Sequence, residues 1–317
     1  MSGDGRKRRI VLVAGGWSPE REISLLGAEG IARALRGRGH AVTLYDLSEG
    51  FDTLLDVAAG HDAAFLNLHG QPGEDGLVQA LLERIGCPYQ GADPAGSFLA
   101  LNKAAAKTLF RRAGLRVPEG VFLPRRPQAG WTPDLRFPLF VKSNTGGSSL
   151  DLFRARDGAE LKTALDALFG AGQEVLIEEM ATGREVTCGV LDVGEKGPEG
   201  LPPVLIVPRR EFFDYHDKYA ADGAAELCPA PLPGELLERV RRTAVAAHRC
   251  LGLTGYSRAD FILTPDNDLY LLEVNTLPGM TAASLVPKEA AALGMDFGEL
   301  LEALLEDAIR RRGASAA

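Results

Sequence analysis

Tyr256-Ser257-Arg258-Ala259-Asp260-Phe261-Ile262-Leu263-Thr264-Pro265-Asp266-Asn267-Asp268-Leu269-Tyr270-Leu271-Leu272-Glu273-Val274-Asn275 is the stretch on which the reading of this sequence turns. Two apolar, strand-like runs flank a cluster of turn-forming residues, the pattern of an antiparallel hairpin. With Asp266 and Asn267 as a two-residue loop, counting outward pairs Pro265 with Asp268, Thr264 with Leu269, and Asp260 with Glu273. Opposed residues in such a pair have Cβ atoms about 4.5–5.5 Å apart, and like charges there repel. A cation between them resolves the conflict.

Side chains alternate faces along a strand, so Asn275 points the same way as Glu273, and Arg258 faces it from the other strand. Asp260, Glu273 and Asn275 together offer a hard, all-oxygen set suited to Mg²⁺ or Mn²⁺. Because Mg²⁺ usually completes its shell with waters and substrate phosphates, the set points to a nucleotide. Ile262 and Leu271 are expected on the same face, walling it from water. A hairpin with a solvated acidic face carries the same residues, so this alternative stays open at the level of the pair. The loop that follows, Thr276-Leu277-Pro278-Gly279-Met280-Thr281, is of the polar, Gly/Pro-bearing kind that lines sites.

Outward from the hairpin, composition sets the frame. The 317 residues allow two or three domains, and 45% hydrophobic with 25% charged residues is an ordinary globular balance. A net charge of −8 argues against a partner bound by neutralising many phosphates, so no nucleic-acid partner is expected. Cys87, Cys188, Cys228 and Cys250 form no Cys-x-x-Cys pair and read as buried thiols in a reducing compartment. The apolar run behind Arg6-Lys7-Arg8-Arg9 is too short for a signal-peptide core, and no segment has the ~20 apolar residues of a membrane span. The expected location is the cytoplasm, with no membrane partner.

Arg9 to Ala14 reads as a buried parallel strand, with Gly15-Gly16 turning into a helix. Ser18 is its expected N-cap, Pro19 its first residue, and about Leu35 its last. Glu20 then lies in the first turn, where it either complements the helix dipole or faces the crevice at the strand's C-terminal end. Strands at Ala41–Leu47 and Ala63–Leu68 complete an N-terminal doubly wound α/β pattern. His69 follows in a Gly-rich loop, able to meet a ligand or to serve only as a loop residue. One helix is expected over Leu101–Ala113, carrying Lys103 and Lys107, and a strand over Phe137–Lys142.

Lys142 leads into Ser143-Asn144-Thr145-Gly146-Gly147-Ser148-Ser149, a loop able to offer N–H groups and hydroxyls to phosphate, although not at Walker spacing. Strands are expected at Val175–Glu179 and Val186–Leu191, a surface loop over Gly194–Pro203, and a loop or lid over Phe212–Gly223. Helices from Pro233 to about Cys250 and from Asp296 to Arg312 close the chain, the last with a stripe of Phe297, Leu300, Leu301, Leu304 and Leu305.

Several stretches in the same order resemble the D-alanine:D-alanine ligase family of the ATP-grasp superfamily. They are Gly15 to Ser24, Leu68-His69-Gly70-Gln71-Pro72-Gly73-Glu74-Asp75-Gly76, Gly147-Ser148-Ser149, Asp214-Tyr215-His216-Asp217-Lys218-Tyr219, Leu272 to Thr281, and Ser284-Leu285-Val286-Pro287. The resemblance implies an α/β fold of the α+β ATP-grasp type: an N-terminal domain over 1–94, a central ATP-grasp domain over 95–183 and a C-terminal one over 184–317. ATP would lie between the last two. It also implies two D-alanines joined through an acylphosphate for peptidoglycan precursors, two Mg²⁺ or Mn²⁺ ions, and a homodimer.

By the same resemblance Asp260, Glu273 and Asn275 are metal ligands, and Lys103, Lys142 and Lys218 face phosphates. Glu178, Glu185, Phe212 and Leu272 surround the nucleoside, Glu178 at adenine and Glu185 at the ribose. Glu20 takes the first ammonium, with His69 nearby. Arg258 and the Gly279 N–H meet the oxyanion, Ser148 and Tyr219 link to Glu20, and Ser284-Leu285 hold the second carboxylate. Leu150-Asp151 replaces a Val-Gly, Ser143 a proline and Asn102 an aspartate, departures that bear on nucleotide affinity and rate. A ligase of another amino-acid pair, or a nucleotide-binding regulator without turnover, fits the same residues.

Overall fold

The run Ile10 to Ala14 contains no polar side chain, and it forms the middle of a sheet covered on both faces, each of the five residues being fully buried. In the computed structural model, which describes residues 6–128, 130–147, 151–208 and 224–315, this strand is β1 (Arg9–Ala14), flanked in parallel by β2 (Ala41–Asp46) and β3 (Ala63–Leu66). Helices α1 (Arg21–Gly37), α2 (Phe51–Ala59) and α3 (Leu77–Ile85) connect and cover it.

Two further sheets follow. The first has the order β4-β7-β5-β6, from Gly120–Leu123, Val175–Glu179, Leu139–Ser143 and Leu152–Ala155, with α6 (Gly158–Gly170) on one face. The second is built on β8 (Arg184–Asp192), β10 (Val204–Val207), β11 (Ala225–Leu227), β12 (Gly255–Leu263) and β13 (Leu269–Asn275), with the short β9 (Glu199–Gly200) beside β8. Helix α4 (Pro94–Leu101), α5 (Lys103–Arg112) and α7 (Gly234–Cys250) bury its rear face; α8 (Leu285–Ala292) and α9 (Phe297–Ser315) lie on the other side, toward the parallel sheet. The stripe Leu300, Leu301, Leu304 and Leu305 is buried as its spacing requires.

The hairpin keeps its expected pairing at the charged positions by a different route. Thr264 N–H donates to the Asp268 carbonyl, leaving a three-residue loop closed by Asn267 at φ 65°, a recurrent loop type with a left-handed last residue. Leu263 therefore pairs with Leu269 and Phe261 with Leu271, one step off the two-residue count; a bulge then absorbs Leu272 and returns Asp260 opposite Glu273 and Arg258 opposite Asn275. The bulge also reverses one expectation. Leu271 points into the rear core with Phe261 and Leu263, and Leu272 takes its place on the carboxylate face.

Three local expectations are corrected. Helix α1 starts at Arg21, because Ser18-Pro19-Glu20 closes a turn in which Arg21 N–H donates to the Ser18 carbonyl, leaving Glu20 as N-cap. The helix expected over Leu101–Ala113 starts at Lys103, because Leu101 ends α4 and the chain breaks at Asn102, whose extended backbone lets its Oδ1 cap the Ala105 N–H. Within Gly194–Pro203, β9 pairs with β8 and Leu201 is buried, so that segment is part of the sheet. Ser148, Ser149, Leu150 and the Phe212–Gly223 segment lie outside the described residues.

Candidate active site

Two cavities of about 440 and 460 Å³ open side by side against the front of the β8–β12–β13 sheet. Lys103, Gly146, Gly147, Glu185, Asp260 and Glu273 line both, so the carboxylate face of the hairpin is the wall where the two meet. The sequence pattern on β12 and β13 put those carboxylates together; the tertiary fold supplies the rest.

Asp260 is held from two sides. Thr187 Oγ1 donates to its Oδ1 at 2.5 Å, and Arg258 gives it a bidentate pair, Nε to Oδ1 at 2.9 Å and Nη2 to Oδ2 at 2.8 Å. Asn275 is pinned through its Oδ1, which accepts the Leu277 N–H at 2.9 Å. Among the described residues no cluster of three His, Cys, Asp or Glu side chains suits a metal, so an ion here needs the Asn275 amide as its third protein donor. Oxygen-only donors, one from each carboxylate and one amide, fit a hard divalent cation that takes its remaining ligands from phosphate and water.

The 460 Å³ cavity runs from this wall toward the four-stranded sheet. Phe140, Met180, Leu205, Ile262 and Leu272 give it apolar sides, and Lys142, Glu178 and Glu185 its polar ones. At its floor Glu178 lies between two ammonium groups, Lys107 at 2.5 Å and Lys142 at 2.6 Å. Burial works to raise the Glu178 carboxyl, but the two cations outweigh it and hold it below the ordinary range. Burial in turn pushes Lys107 down to about 8, against the attraction of Glu178. Lys142 goes the other way: burial opposes its charge, and Glu178 raises it nonetheless.

Lys103 opens α5 and reaches across to the glycine loop, donating to the Gly146 carbonyl at 2.5 Å and lying 3.6 Å from Glu273. Ser143 fixes the start of that loop, since its Oγ donates to Gln173 and accepts the Gly146 N–H. Asn144 joins it to α5 through the Ala104 N–H and Asn102.

The 440 Å³ cavity is lined by Glu20 and His69 from the parallel domain, Arg258 from β12, and Gly279, Ser284 and Leu285 from the loop into α8. Glu20 is buried at the start of α1. The His69 imidazole is lowered, mainly by burial, with Glu20 opposing and Arg258 adding to the shift. Ser284 precedes α8, and its Oγ accepts the Thr281 N–H at 3.0 Å. Every described residue expected at the site from the sequence thus lines one of the two cavities. Ser148, Phe212, Lys218 and Tyr219 lie outside the described residues.

Some contributors were not singled out in the sequence. Thr187 sits opposite Asp260 on β8, legible only once β8 pairs with β12. Glu74 is half-buried in the 440 Å³ cavity, where burial and the Glu20 charge push its carboxyl up to about 7. Its loop was noted for its histidine and glycines. Lys107 follows Lys103 by one helical turn, a spacing that hints at a shared face and says nothing of burial.

Comparison with known proteins completes the assignment. Residues 110–306 match the family described as D-ala D-ala ligase C-terminus. The chain belongs to the D-alanine–D-alanine ligase family. It is 61% identical over 299 residues to a D-alanine–D-alanine ligase of Desulfovibrio desulfuricans, covering 94% of this chain and 96% of that one. With the corresponding protein of Oleidesulfovibrio alaskensis it shares 60% over 306 residues, 96% of this chain and 98% of that one. Among solved structures, a D-alanine–D-alanine ligase from Bacillus anthracis complexed with ATP superposes with a TM-score of 0.85 at 33% identity, covering 97% of this chain and 99% of that chain. The VanG D-Ala:D-Ser ligase from Enterococcus faecalis does so at 0.81 and 28%, over 94% and 98%. These matches run through the whole fold, so the α/β architecture with its two antiparallel sheets is that of an ATP-grasp ligase.

Proposed function

We propose that the chain joins two D-alanines into D-alanyl-D-alanine, with ATP split to ADP and phosphate, for peptidoglycan precursor synthesis. The observation that carries this reading is the shared wall of the two cavities, where Lys103, Asp260 and Glu273 stand between a cavity lined by Lys142, Glu178 and apolar side chains and one lined by Glu20, His69, Arg258 and Ser284. A carboxylate oxygen of the first D-alanine attacks the γ-phosphorus and ADP leaves. The amine of the second then attacks the acyl carbon, and the C–O bond to phosphate breaks.

In this reading Glu20 takes the ammonium of the first D-alanine, beside His69. Arg258, oriented by its bidentate bond to Asp260, and the Gly279 N–H face the oxyanion of the tetrahedral intermediate, a task for preorganised donors. Ser284 and Leu285, at the start of α8, take the second carboxylate. Lys103 and Lys142 face the phosphates, Glu178 and Glu185 the nucleoside, and Ile262 and Leu272 one side of its ring. Ser148, Phe212, Lys218 and Tyr219 keep the roles that the resemblance implies. Asp260, Glu273 and Asn275 would hold Mg²⁺ or Mn²⁺, which supplies positive charge to the transferring phosphoryl group.

We extend the reading to three domains, 1–94, 95–183 and 184–317, supported by the three separate sheets, to a homodimer, and to the cytoplasm, where ATP is supplied. Among the described residues no helix is long and apolar enough to cross a membrane.

The test is phosphate release with ATP and Mg²⁺ in parallel for D-alanine, L-alanine, D-alanine plus D-serine, and D-alanine plus D-lactate, with product masses read from each. Release with D-alanine and the mass of the dipeptide is the expected result. Phosphate release confined to another pair would move the assignment to that pair, and ATP binding without release under any condition would make the chain a nucleotide-binding regulator.

A further inference from the structure

Glu289 lies in α8, outside every stretch that carries the family resemblance, and its side chain is fully buried. A buried carboxyl is costly unless something holds it. Its partner is 100 residues away: Glu289 Oε2 accepts the backbone N–H of Gly189 at 2.8 Å. Gly189 lies between the β8–β10 pairing that ends at Thr187 and the β8–β9 pairing that begins at Val190; its carbonyl accepts the Leu201 N–H, and the gap in the ladder falls at its own N–H. Glu289 fills that gap with a side-chain acceptor.

The position matters because of what stands opposite. Gly189 pairs with Arg258, so the side that a residue at 189 would present is the side on which the Arg258 side chain lies. Only a glycine leaves room there, since a Cβ at 189 would come within 2.3 Å of Glu289 Oε2. The Glu289 carboxyl thus occupies the place next to Arg258 on the active face. At the other end, Leu285 and Glu289 are four residues apart, hence on one side of α8, and Leu285 and Ser284 line the substrate cavity. Burial raises the Glu289 carboxyl well above the ordinary range, with Gly189 N–H and Arg258 opposing, and the Arg258 guanidinium keeps its bidentate pair with Asp260.

We propose that Glu289 is a positioning residue of the ligation: its bond to Gly189 N–H sets the cavity end of α8 against Arg258, and so fixes the spacing between the second substrate's carboxylate and the oxyanion. The proposal rests on the functional reading above.

Two substitutions test it. Glu289→Gln keeps an acceptor oxygen of the same reach, whereas Glu289→Leu fills the space without one. Kinetics are measured well below the unfolding midpoint of each. The expected result is a KM for D-alanine at least tenfold higher in Glu289→Leu with the KM for ATP within twofold, and both constants within twofold of the parent in Glu289→Gln. A purely structural role would lower the midpoint of Glu289→Leu and leave the two KM values unchanged or shift them together, and either outcome overturns the proposal, as does a Glu289→Gln enzyme as impaired as Glu289→Leu. Hydrogen exchange of the peptide spanning 184–192 needs no turnover: faster exchange at Gly189 in Glu289→Leu than in Glu289→Gln is expected, and equal rates overturn the proposal. An unsubstituted protein that releases no phosphate with D-alanine would instead sink the functional reading, a result separable from the exchange data.

Discussion

At the residue scale the chemistry rests on a few buried charges, each held in its state by a neighbour. Glu178 stays ionised because Lys107 and Lys142 flank it. Removing the carboxylate leaves two ammonium groups facing each other, so Glu178→Gln is expected to lose about 3–5 kcal/mol in urea unfolding, the cost of orphaning a buried charge. Lys107→Met should lose less, because Lys142 remains. His248 is a second case, remote from the cavities. Fully buried, it pairs through Nδ1 with Ser257 Oγ at 2.8 Å, with Asp192 3.7 Å from its Nε2, and burial pushes its imidazole down to about 4. The unfolded chain therefore binds a proton below about 6.5 that the folded one refuses until about 4, and stability falls as pH falls through that window. At 1.36 kcal/mol per pKa unit this is about 3 kcal/mol. Urea midpoints of the parent minus those of His248→Gln, followed from pH 7 to 4, should show this loss; a flat difference would refute the assignment.

At the scale of elements the hairpin is the instructive case. Its charged pairing was legible from alternation alone, yet both the loop length and the ladder differ from the simplest count. Loop and bulge each add one residue, and the two cancel at Asp260 and Glu273. Alternation fixes faces only between irregularities, so Leu271 and Leu272 exchange roles on the far side of the bulge. Leu272→Ala should raise the KM for ATP roughly fiftyfold, from about three buried carbons at ~0.8 kcal/mol each, with little change in stability. Leu271→Ala should leave that KM unchanged and cost about 2–5 kcal/mol of stability, as truncations in a packed core do. Steady-state kinetics and urea unfolding on both proteins separate the two faces, and the reverse pattern would show the bulge misplaced.

At the scale of the molecule the 460 Å³ cavity, proposed above to take the nucleotide, lies between the four-stranded sheet and the β8–β13 sheet, with Phe140 and Met180 on one side and Ile262 and Leu272 on the other. A ligand that bridges two units stabilises them by mass action, about 2.7 kcal/mol at a hundredfold excess over Kd. ATP with Mg²⁺ should therefore raise the thermal midpoint and merge any separate transitions of the two units. EDTA should remove most of that shift and abolish phosphate release, since the Asp260, Glu273 and Asn275 set would no longer hold an ion against the phosphates. An ATP effect that survives EDTA in full would dissociate metal from nucleotide binding. Asp260→Asn should behave as EDTA does, with activity down by about two orders of magnitude or more, typical of losing a group that organises transition-state charge.

Much of this protein was legible along the chain. Strand and helix types follow from periodicity, and opposed carboxylates from a hairpin count. The described motif residues expected at the site all line the two adjoining cavities. Helix starts were misjudged where a turn such as Ser18-Pro19-Glu20 mimics a cap, and the break at Asn102 was missed because an asparagine inside an apolar pattern carries no strong stop signal. What only the tertiary structure decided is which charges lose water and whom they meet: Lys107 under Glu178, Thr187 against Asp260, Glu289 over Gly189. Each of these joins residues about 70 to 100 apart. Periodicity is a property of neighbours in the chain, whereas desolvation and contact across such separations depend on how sheets and helices pack, and no local pattern encodes that.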